Sequence, residues 1–496
     1  MKNHTHMHYS LIVTMKEAFL ISVFLLIFNS CFGQKAAVNQ NEIKQKIDSY
    51  INEVIKINEI PGVALAVIKD GKVIYEKYSG KASFEDNKAV DKNTAFKIFS
   101  TTKLITNVGI FQLIEKGKLS LEDPISKYLD NLPKEWQSIK VKNLLTHSSG
   151  LPNIVMFEDI PITLSYNEKM ALLSKKPMEF ATGSEYNYNQ TNYLFLTKII
   201  EKITGLSFEE YIMQNQFPGV KSGVYFSSNF GESVPNSAFR YNYNSKTKEY
   251  VKQTSNSGAD LHSANGLNIT LQEFIRWNEN LDKNTFLKKE TKYSMWEPFK
   301  YTNSTQNFGY GWDFYPVNKI ISYGFTGGNE TAFRKFTKND LTIIFLSNGH
   351  KYGNLSVQSQ VVNHVAGIVD KTLIDDYLLA DEKITQDFLK LDFTKAEQNY
   401  LALKKNHPEW KFEDRLNAIG YTLMNYERVN DAIKVFELNT KENPKSGNAF
   451  DSLAESYFNN GQIETSKQAY QKALELSPEN ANAKEMLAKI DKLLAK

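Results

Sequence analysis

Two strand pairs stand at opposite ends of a long helix-rich stretch, and together they constrain the fold more than any other feature. The first, GVALAVIKDGKVIYEKYSG (Gly62 to Gly80), holds two runs rich in β-branched and apolar residues, joined at Asp70-Gly71. Asp-Gly is a strong hairpin signal because both central positions of a type I′ turn need positive φ. The second, TAFRKFTKNDLTIIFLSNG (Thr331 to Gly349), repeats the pattern around Lys338-Asn339-Asp340. Some 250 residues of mostly helical or loop-like character lie between them. This arrangement predicts an α+β fold: one antiparallel sheet whose terminal strands meet, carrying a separate helical lobe. A cleft between sheet and lobe is the default ligand site.

Ahead of the first strand, EIKQKIDSYINEVIKIN (Glu42 to Asn58) places Ile43, Ile47, Ile51, Val54 and Ile55 at helical spacing. Farther upstream, Lys16 precedes the ten-residue run FLISVFLLIF (Phe19 to Phe28), and NSCFGQ follows. Such a run is short for a membrane span and suits the core of an export signal. Residues 1–33 are therefore expected to be a signal peptide, with either cleavage after Gly33 or lipidation at Cys31. The protein is then periplasmic, or lipid-anchored to a bacterial membrane through Cys31. With one cysteine in the chain, neither an intramolecular disulfide nor a multi-thiolate metal site is expected. The length of 496 residues, 41% of them apolar and 23% charged, suits a soluble protein of two or three domains. A net charge of +3 with no dense Lys/Arg block leaves no electrostatic footprint for nucleic acid.

The tail is different in kind. A small residue, an aromatic four later and a proline eight after that recur three times: Ala396/Tyr400/Pro408, Ala432/Phe436/Pro444 and Ser466/Tyr470/Pro478. The prolines are 36 and 34 residues apart, and 34 is the tetratricopeptide period. In the last two copies Gly420 matches Ala454 and Ile419 matches Leu453. Residues 393–496 thus resemble tetratricopeptide repeats closed by a capping helix, NAKEMLAKIDKLLAK. Such repeats usually present a surface for a peptide or protein partner, and the other reading is a helical appendage that only stabilises the domain.

The chemistry points to FKIFSTTKLITNVG, Phe96 to Gly109, where hydroxyl residues run directly into an apolar helix pattern. If Ser100 starts that helix, Lys103 lies one turn on and on the same face. A lysine desolvated there tends to lose its proton, and a neutral amine can accept one from a hydroxyl. The free N–H groups of a helix start also suit a developing oxyanion. Ser-x-x-Lys alone is common and reads equally well as an ordinary helix cap, so the surrounding sequence has to decide.

Four further segments follow in order: VKNLLTHSSGLP (Val141 to Pro152), YNQTNYLFLTKIIEKITG (Tyr188 to Gly205), FGYGW (Phe308 to Trp312) and GFTGGN (Gly324 to Asn329). With IFSTTKLIT they resemble the serine beta-lactamase-related family of class C beta-lactamases, D-alanyl-D-alanine peptidases and esterases. The resemblance spans about residues 40–365 and implies acyl transfer through a serine, without a cofactor. It implies Ser100 as nucleophile, Lys103 as its proton acceptor and Tyr188 as a proton relay in the family's Tyr-x-Asn element. Phe325-Thr326-Gly327 stands at the Lys/His-Thr-Gly strand. The N–H groups of Ser100 and Gly328 are the implied oxyanion hole, and Gln190, Phe325, Thr326 and Gly327 the implied substrate contacts. His147, in LTHSSG, is implied to be structural. The other histidines are scattered without metal-ligand spacing.

Three positions depart from the family pattern. Gln190 stands where Asn is usual, so its amide must reach one methylene further or point elsewhere. Phe325 replaces a Lys or His that would meet a substrate carboxylate, and Thr331 replaces a glycine. The expected protein is an exported, metal-independent serine hydrolase acting through an acyl-enzyme on small-molecule or peptide esters or amides of low negative charge. Beta-lactamase activity is a weaker fit. Two other readings stay open: a catalytically idle binder of cell-wall peptides, and a repeat-mediated interaction protein built on a hydrolase-like scaffold. The expected boundaries are 1–33 for the signal, 38–370 for the hydrolase-type domain, 371–392 for a linker and 393–496 for the repeats.

Overall fold

Seven strands form one antiparallel sheet, in a computed structural model that describes residues 40–495 except 228, 230–233, 255, 257 and 354. The expected export signal over 1–33, with Cys31, lies outside the described residues. Two compact units make up the chain, residues 1–53 and 54–496. The described part of the first, residues 40–53, is helical as its isoleucine spacing predicts. The second unit holds the sheet, the helical lobe and the repeats.

The spatial order of the strands is Lys88–Ala89, Lys72–Ser83, Gly62–Lys69, Leu341–Ser347, Thr331–Phe336, Ile320–Gly327 and Asp313–Val317. The terminal strands do meet: Gly62–Lys69 pairs with Leu341–Ser347 in a register that sets Val63 opposite Ser347 and Lys69 opposite Leu341. Asp70 and Gly71 have φ of 51° and 67°, the double positive φ of a type I′ turn. Both of these central strands are buried on both faces almost without interruption. Helix Leu271–Asp282 lies against them, and helix Val357–Val369 lies against Leu341–Ser347 and Thr331–Phe336. Double coverage explains why GVALAVIK and LTIIFLS read as continuous apolar runs instead of alternating ones.

The lobe is built around helix Thr102–Glu115, in which every residue from Thr102 to Leu113 is buried. Its polar residues are buried with the apolar ones and find partners there: Thr106, Asn107 and Gln112 donate to the carbonyls of Ser263, Gly311 and Phe286. Helices Gln190–Thr204 and Phe208–Gln216 and the short turn of helix His262–Asn265 surround it. Leu104, Val108, Phe195 and Ile212 of the lobe share one core with Ala64, Phe333 and Ile344 of the sheet.

The repeats form helical hairpins: Glu413–Asn425 with Val429–Glu442, then Gly447–Asn459 with Ile463–Leu476, and Ala481–Leu494 as the cap. Ala396, Tyr400, Ala432, Phe436, Ser466 and Tyr470 are all buried, and each proline falls two residues after its helix ends. Gly420 is small because a Cβ there would stand 2.5 Å from the Phe436 ring. The expected linker over 371–392 is corrected. It holds a 3-10 turn, Lys371–Leu373, and the fifteen-residue helix Asp376–Lys390. Ile384 and Phe388 of that helix are buried in the repeat core with Tyr400 and Phe412. The repeat region thus starts one helix earlier, with Asp376–Lys390 packed on Phe393–Asn406. Among the described residues no helix is long and apolar enough to cross a membrane.

Candidate active site

Ser100 sits in the 3-10 turn Phe99–Thr101, which runs straight into helix Thr102–Glu115. Lys103 is therefore in the first helical turn, as the spacing predicts. The turn is strained: Phe99 has φ 47°, a left-handed conformation that costs a bulky residue about 1–2 kcal/mol. Packing on three sides holds it. The Arg240 guanidinium lies 4.8 Å from the centre of the Phe99 ring. On another side is the backbone of Gly328, where a Cβ would stand 2.8 Å from the ring. At Gly327 a Cβ would come within 2.3 Å of the Ile98 carbonyl oxygen, so the strand end and the nucleophile turn meet too closely for a side chain. Thr331, the departure from glycine, stitches the two together. Its hydroxyl donates to the Ile98 carbonyl at 3.0 Å and lies 3.1 Å from the Thr101 hydroxyl.

Lys103 is fully buried. Its Nζ donates to the Ala264 carbonyl at 2.8 Å and to Gln190 Oε1 at 3.1 Å. The rings of Tyr188 and Tyr193 lie 4.9 and 4.7 Å away. None of these partners carries a full negative charge, and burial alone pushes the amine well below the ordinary lysine range. Gln190, the first residue of helix Gln190–Thr204, thus spends its extra methylene on the lysine. Its own N–H donates to Asn153 Oδ1 at 3.1 Å.

The group that touches the nucleophile is Tyr188. Its hydroxyl donates to Ser100 Oγ at 2.7 Å. Burial pushes the phenol up to about 12, against the smaller downward pull of its bonds to Ser100 and Gln190, so it stays protonated at neutral pH. The three expected catalytic residues are therefore brought together, the Tyr188 hydroxyl on Ser100 and the Tyr188 ring against the Lys103 amine.

His147 is buried, with φ 53°. Its Nδ1 accepts from the Asn189 N–H at 3.1 Å and lies 3.2 Å from Asn192 Nδ2. Burial, then the nearby Lys103 charge, push it well below the ordinary histidine range, so the ring is neutral. Its Nε2 has no hydrogen-bond partner among the described residues, and the Tyr188 ring lies 4.7 Å off, centre to centre. This histidine supports the Tyr188 segment and does not reach Ser100.

An open cleft of about 540 Å³ lies in front of the serine. Ser100, Tyr188, Phe325, Thr326 and Gly328 line it, so both residues expected to supply oxyanion donors border one space. Gly327 is buried behind them. Phe325 is only 7% exposed, its ring 6.1 Å from that of Tyr188 and 6.2 Å from that of Phe308. Among the described residues the one charged lining side chain is Asp313, paired with the buried Arg334. No cation among them faces the cleft where a substrate carboxylate would need one. Sequence reasoning missed Arg240, Asp313, Asn153 and Glu330. Asn153, Asp313 and Glu330 each stand directly after one of the recognised segments, which end at Pro152, Trp312 and Asn329. Arg240 has no such local mark and enters through contacts with distant parts of the chain.

The fold and the Ser100–Tyr188–Lys103 geometry agree with the comparisons to known proteins. The Beta-lactamase family model matches residues 47–364, more than half of the chain, and the chain belongs to that family, whose penicillin-binding-protein-like members are serine hydrolases. A tetratricopeptide-repeat model matches residues 448–480. Penicillin-binding protein 4* of Bacillus subtilis (strain 168) is 26% identical over 319 residues, covering 59% of this chain and 68% of its own. The octameric penicillin-binding protein homologue from Pyrococcus abyssi superposes with a TM-score of 0.60 at 24% identity, over 69% of this chain and 81% of that one. D-amino acid amidase from Ochrobactrum anthropi SV3 does so with a TM-score of 0.54 at 18% identity, over 67% and 99%. At these identities the two structures establish a shared fold.

Proposed function

We propose that this protein hydrolyses neutral esters or amides by forming an acyl-enzyme on Ser100. The observation that carries the proposal is the Tyr188 hydroxyl bonded to Ser100 Oγ at 2.7 Å beside a fully buried lysine with no carboxylate partner. Ser100 Oγ attacks the acyl carbonyl carbon. Its proton passes to the Lys103 amine, directly or through the Tyr188 hydroxyl, and from there to the leaving oxygen or nitrogen. Water then attacks the acyl-enzyme, and the same pair returns a proton to Ser100. The N–H groups of Ser100 and Gly328 hold the carbonyl oxygen as it becomes negative. Preference for low negative charge is supported by Phe325 and by the lack of a cation among the described cleft residues. The D-amino acid amidase that shares the fold fits an ester or amide substrate.

Ser100→Ala should abolish hydrolysis of p-nitrophenyl acetate with the melting temperature nearly unchanged, and undiminished turnover would overturn the assignment. We further propose that residues 1–33 direct export, to the periplasm or to a lipid anchor on Cys31. Mass spectrometry of the mature chain should find Gln34 first or a lipid on Cys31, and a mature chain retaining Met1 would contradict export. The repeats are proposed to dock a protein or peptide partner, which a pull-down with the helix-face residues altered would test.

A further inference from the structure

The oxyanion donor expected at Gly328 sits in a hairpin turn, and that turn is tied to a segment outside its own hairpin. Gly328 and Asn329 have φ of 59° and 61°, and the Glu330 N–H donates to the Gly327 carbonyl at 2.9 Å. Two positive φ angles closed by that bond make a type I′ turn. Both residues are exposed and line the mouth of the cleft. Two hydrogen bonds to the segment after strand Leu341–Ser347 fix Asn329 at backbone and side chain. His350 is buried, and its Nε2 lies 2.8 Å from the Asn329 carbonyl oxygen. A carbonyl can only accept, so Nε2 carries the proton and donates. The Asn329 side chain in turn donates from Nδ2 to the Gly353 carbonyl at 3.1 Å.

The segment from His350 to Gly353 is itself held on two sides. On one, the Lys351 N–H donates to the Asn58 carbonyl at 2.8 Å, and the Lys351 amine pairs with Glu59. On the other stand the repeats. The Tyr352 ring meets the Tyr426 ring edge to face, 5.0 Å between centres at 67°. Tyr426 is the C-cap of repeat helix Glu413–Asn425, and its ring also stacks on Tyr243 at 5.7 Å and 28°. Direct contacts thus run from a repeat helix to the oxyanion turn, through Tyr426, Tyr352, Gly353 and Asn329 to Gly328.

We propose that the repeat module belongs to the catalytic unit: Tyr426 braces Tyr352, and His350 and Asn329 are the positioning residues that set the Gly328 N–H against Ser100. The proposal rests on the acyl-enzyme reading and adds what holds the oxyanion donor in place. A donor aimed at the developing oxyanion is used fully only in the transition state, so displacing it lowers kcat and leaves KM nearly alone. Losing a whole donor costs about 10²–10³-fold in kcat, and a displaced donor costs part of that.

The test measures kcat and KM for p-nitrophenyl acetate on the full chain. His350→Leu should lower kcat at least about tenfold with KM within about threefold of wild type. His350→Gln, whose amide can still donate to the Asn329 carbonyl, should recover most of the loss. Tyr426→Ala should lower kcat at least about threefold, and Tyr426→Phe, which keeps the ring, should not. Tyr352→Ala breaks the same contact from the hydrolase side and replaces Tyr426→Ala if that variant does not fold. Added to Asn329→Ala, Tyr426→Ala should cost nothing further, because both act through one contact. Unchanged kcat in Tyr426→Ala and Tyr352→Ala overturns the coupling. So does a loss that Tyr426→Phe shares, or one that adds in full to that of Asn329→Ala. Either result beside Ser100-dependent turnover in wild type removes the coupling alone. Absence of Ser100-dependent turnover in wild type removes the hydrolase reading and the coupling with it.

Discussion

Glu330→Gln should remove a pH dependence of stability that the wild type carries between about pH 4.5 and 8. Glu330 follows the Gly327-Gly328 strand end and is 4% exposed. Its Oε1 accepts from Arg240 Nε at 2.8 Å, and its Oε2 has no hydrogen-bond partner among the described residues. Burial lifts the carboxyl from the ordinary 4.5 to about 7, outweighing the downward pull of the Arg240 charge and hydrogen bond. The folded state thus keeps this proton up to about pH 7, while the unfolded chain releases it near 4.5. In that window the folded state binds more protons, so stability falls as pH rises. At about 1.4 kcal/mol per pH unit the whole span is worth about 3 kcal/mol, of which about 2.5 kcal/mol falls between pH 5 and pH 8. The measurement is urea unfolding of wild type and Glu330→Gln at both pH values, read as the difference between the two proteins. That difference should move against wild type by about 2–3 kcal/mol on going from pH 5 to pH 8. A difference independent of pH would refute the reasoning, because it means that Arg240 keeps the carboxylate ionised throughout.

Lys103→Met should lose hydrolysis by roughly 10²–10⁴ yet melt higher than wild type at pH 6, since it deletes a buried amine that has no anionic partner and that folding forces towards its neutral form. The gain should shrink towards pH 10, because the cost of a lowered lysine pKa is present only where the unfolded chain binds a proton that the folded chain gives up; an equal or lower melting temperature at both pH values would contradict the assignment. Wild type should favour a neutral ester over its carboxylate-bearing analogue by roughly tenfold to 150-fold, the worth of one hydrogen bond to a charged group. Phe325→His should narrow that gap in kcat/KM, and a wild type that already prefers the anion would place carboxylate recognition elsewhere. Gly420→Val should destabilise the repeats by about 1–3 kcal/mol through its clash with the Phe436 ring, leaving ester hydrolysis intact. Calorimetry alongside the esterase assay checks both.

The features legible in the sequence were local or periodic. Asp70-Gly71 announces its turn because the φ demand belongs to two adjacent residues. Ser100 and Lys103 share a helical face because three residues make nearly one turn. The repeat prolines could be counted. Tyr188 against Ser100 is a contact across 88 positions, and no spacing rule encodes it; it entered through the resemblance of ordered segments. The environment of Phe99 was illegible for the same reason, since Arg240 arrives from one loop and Gly328 from a hairpin turn, both far along the chain. At Gln190 the sequence left two outcomes open, and the packing of Lys103 selected the longer reach. Helix Asp376–Lys390 was misread as a linker because the repeat signal depends on the second helix of each pair, the one followed by proline. The first helix of the first pair has no such mark, although Ile384 and Phe388 lie at helical spacing and are buried.

The central claim is that Ser100 carries the acyl group. Its most direct test is to inactivate the full chain with a fluorophosphonate and locate the adduct by tandem mass spectrometry of the digested protein. The account predicts one adduct per chain on the peptide containing Ser100, formed more slowly in Lys103→Met, blocked by competing ester and absent from Ser100→Ala. An adduct on any other residue that accompanies loss of turnover would contradict it.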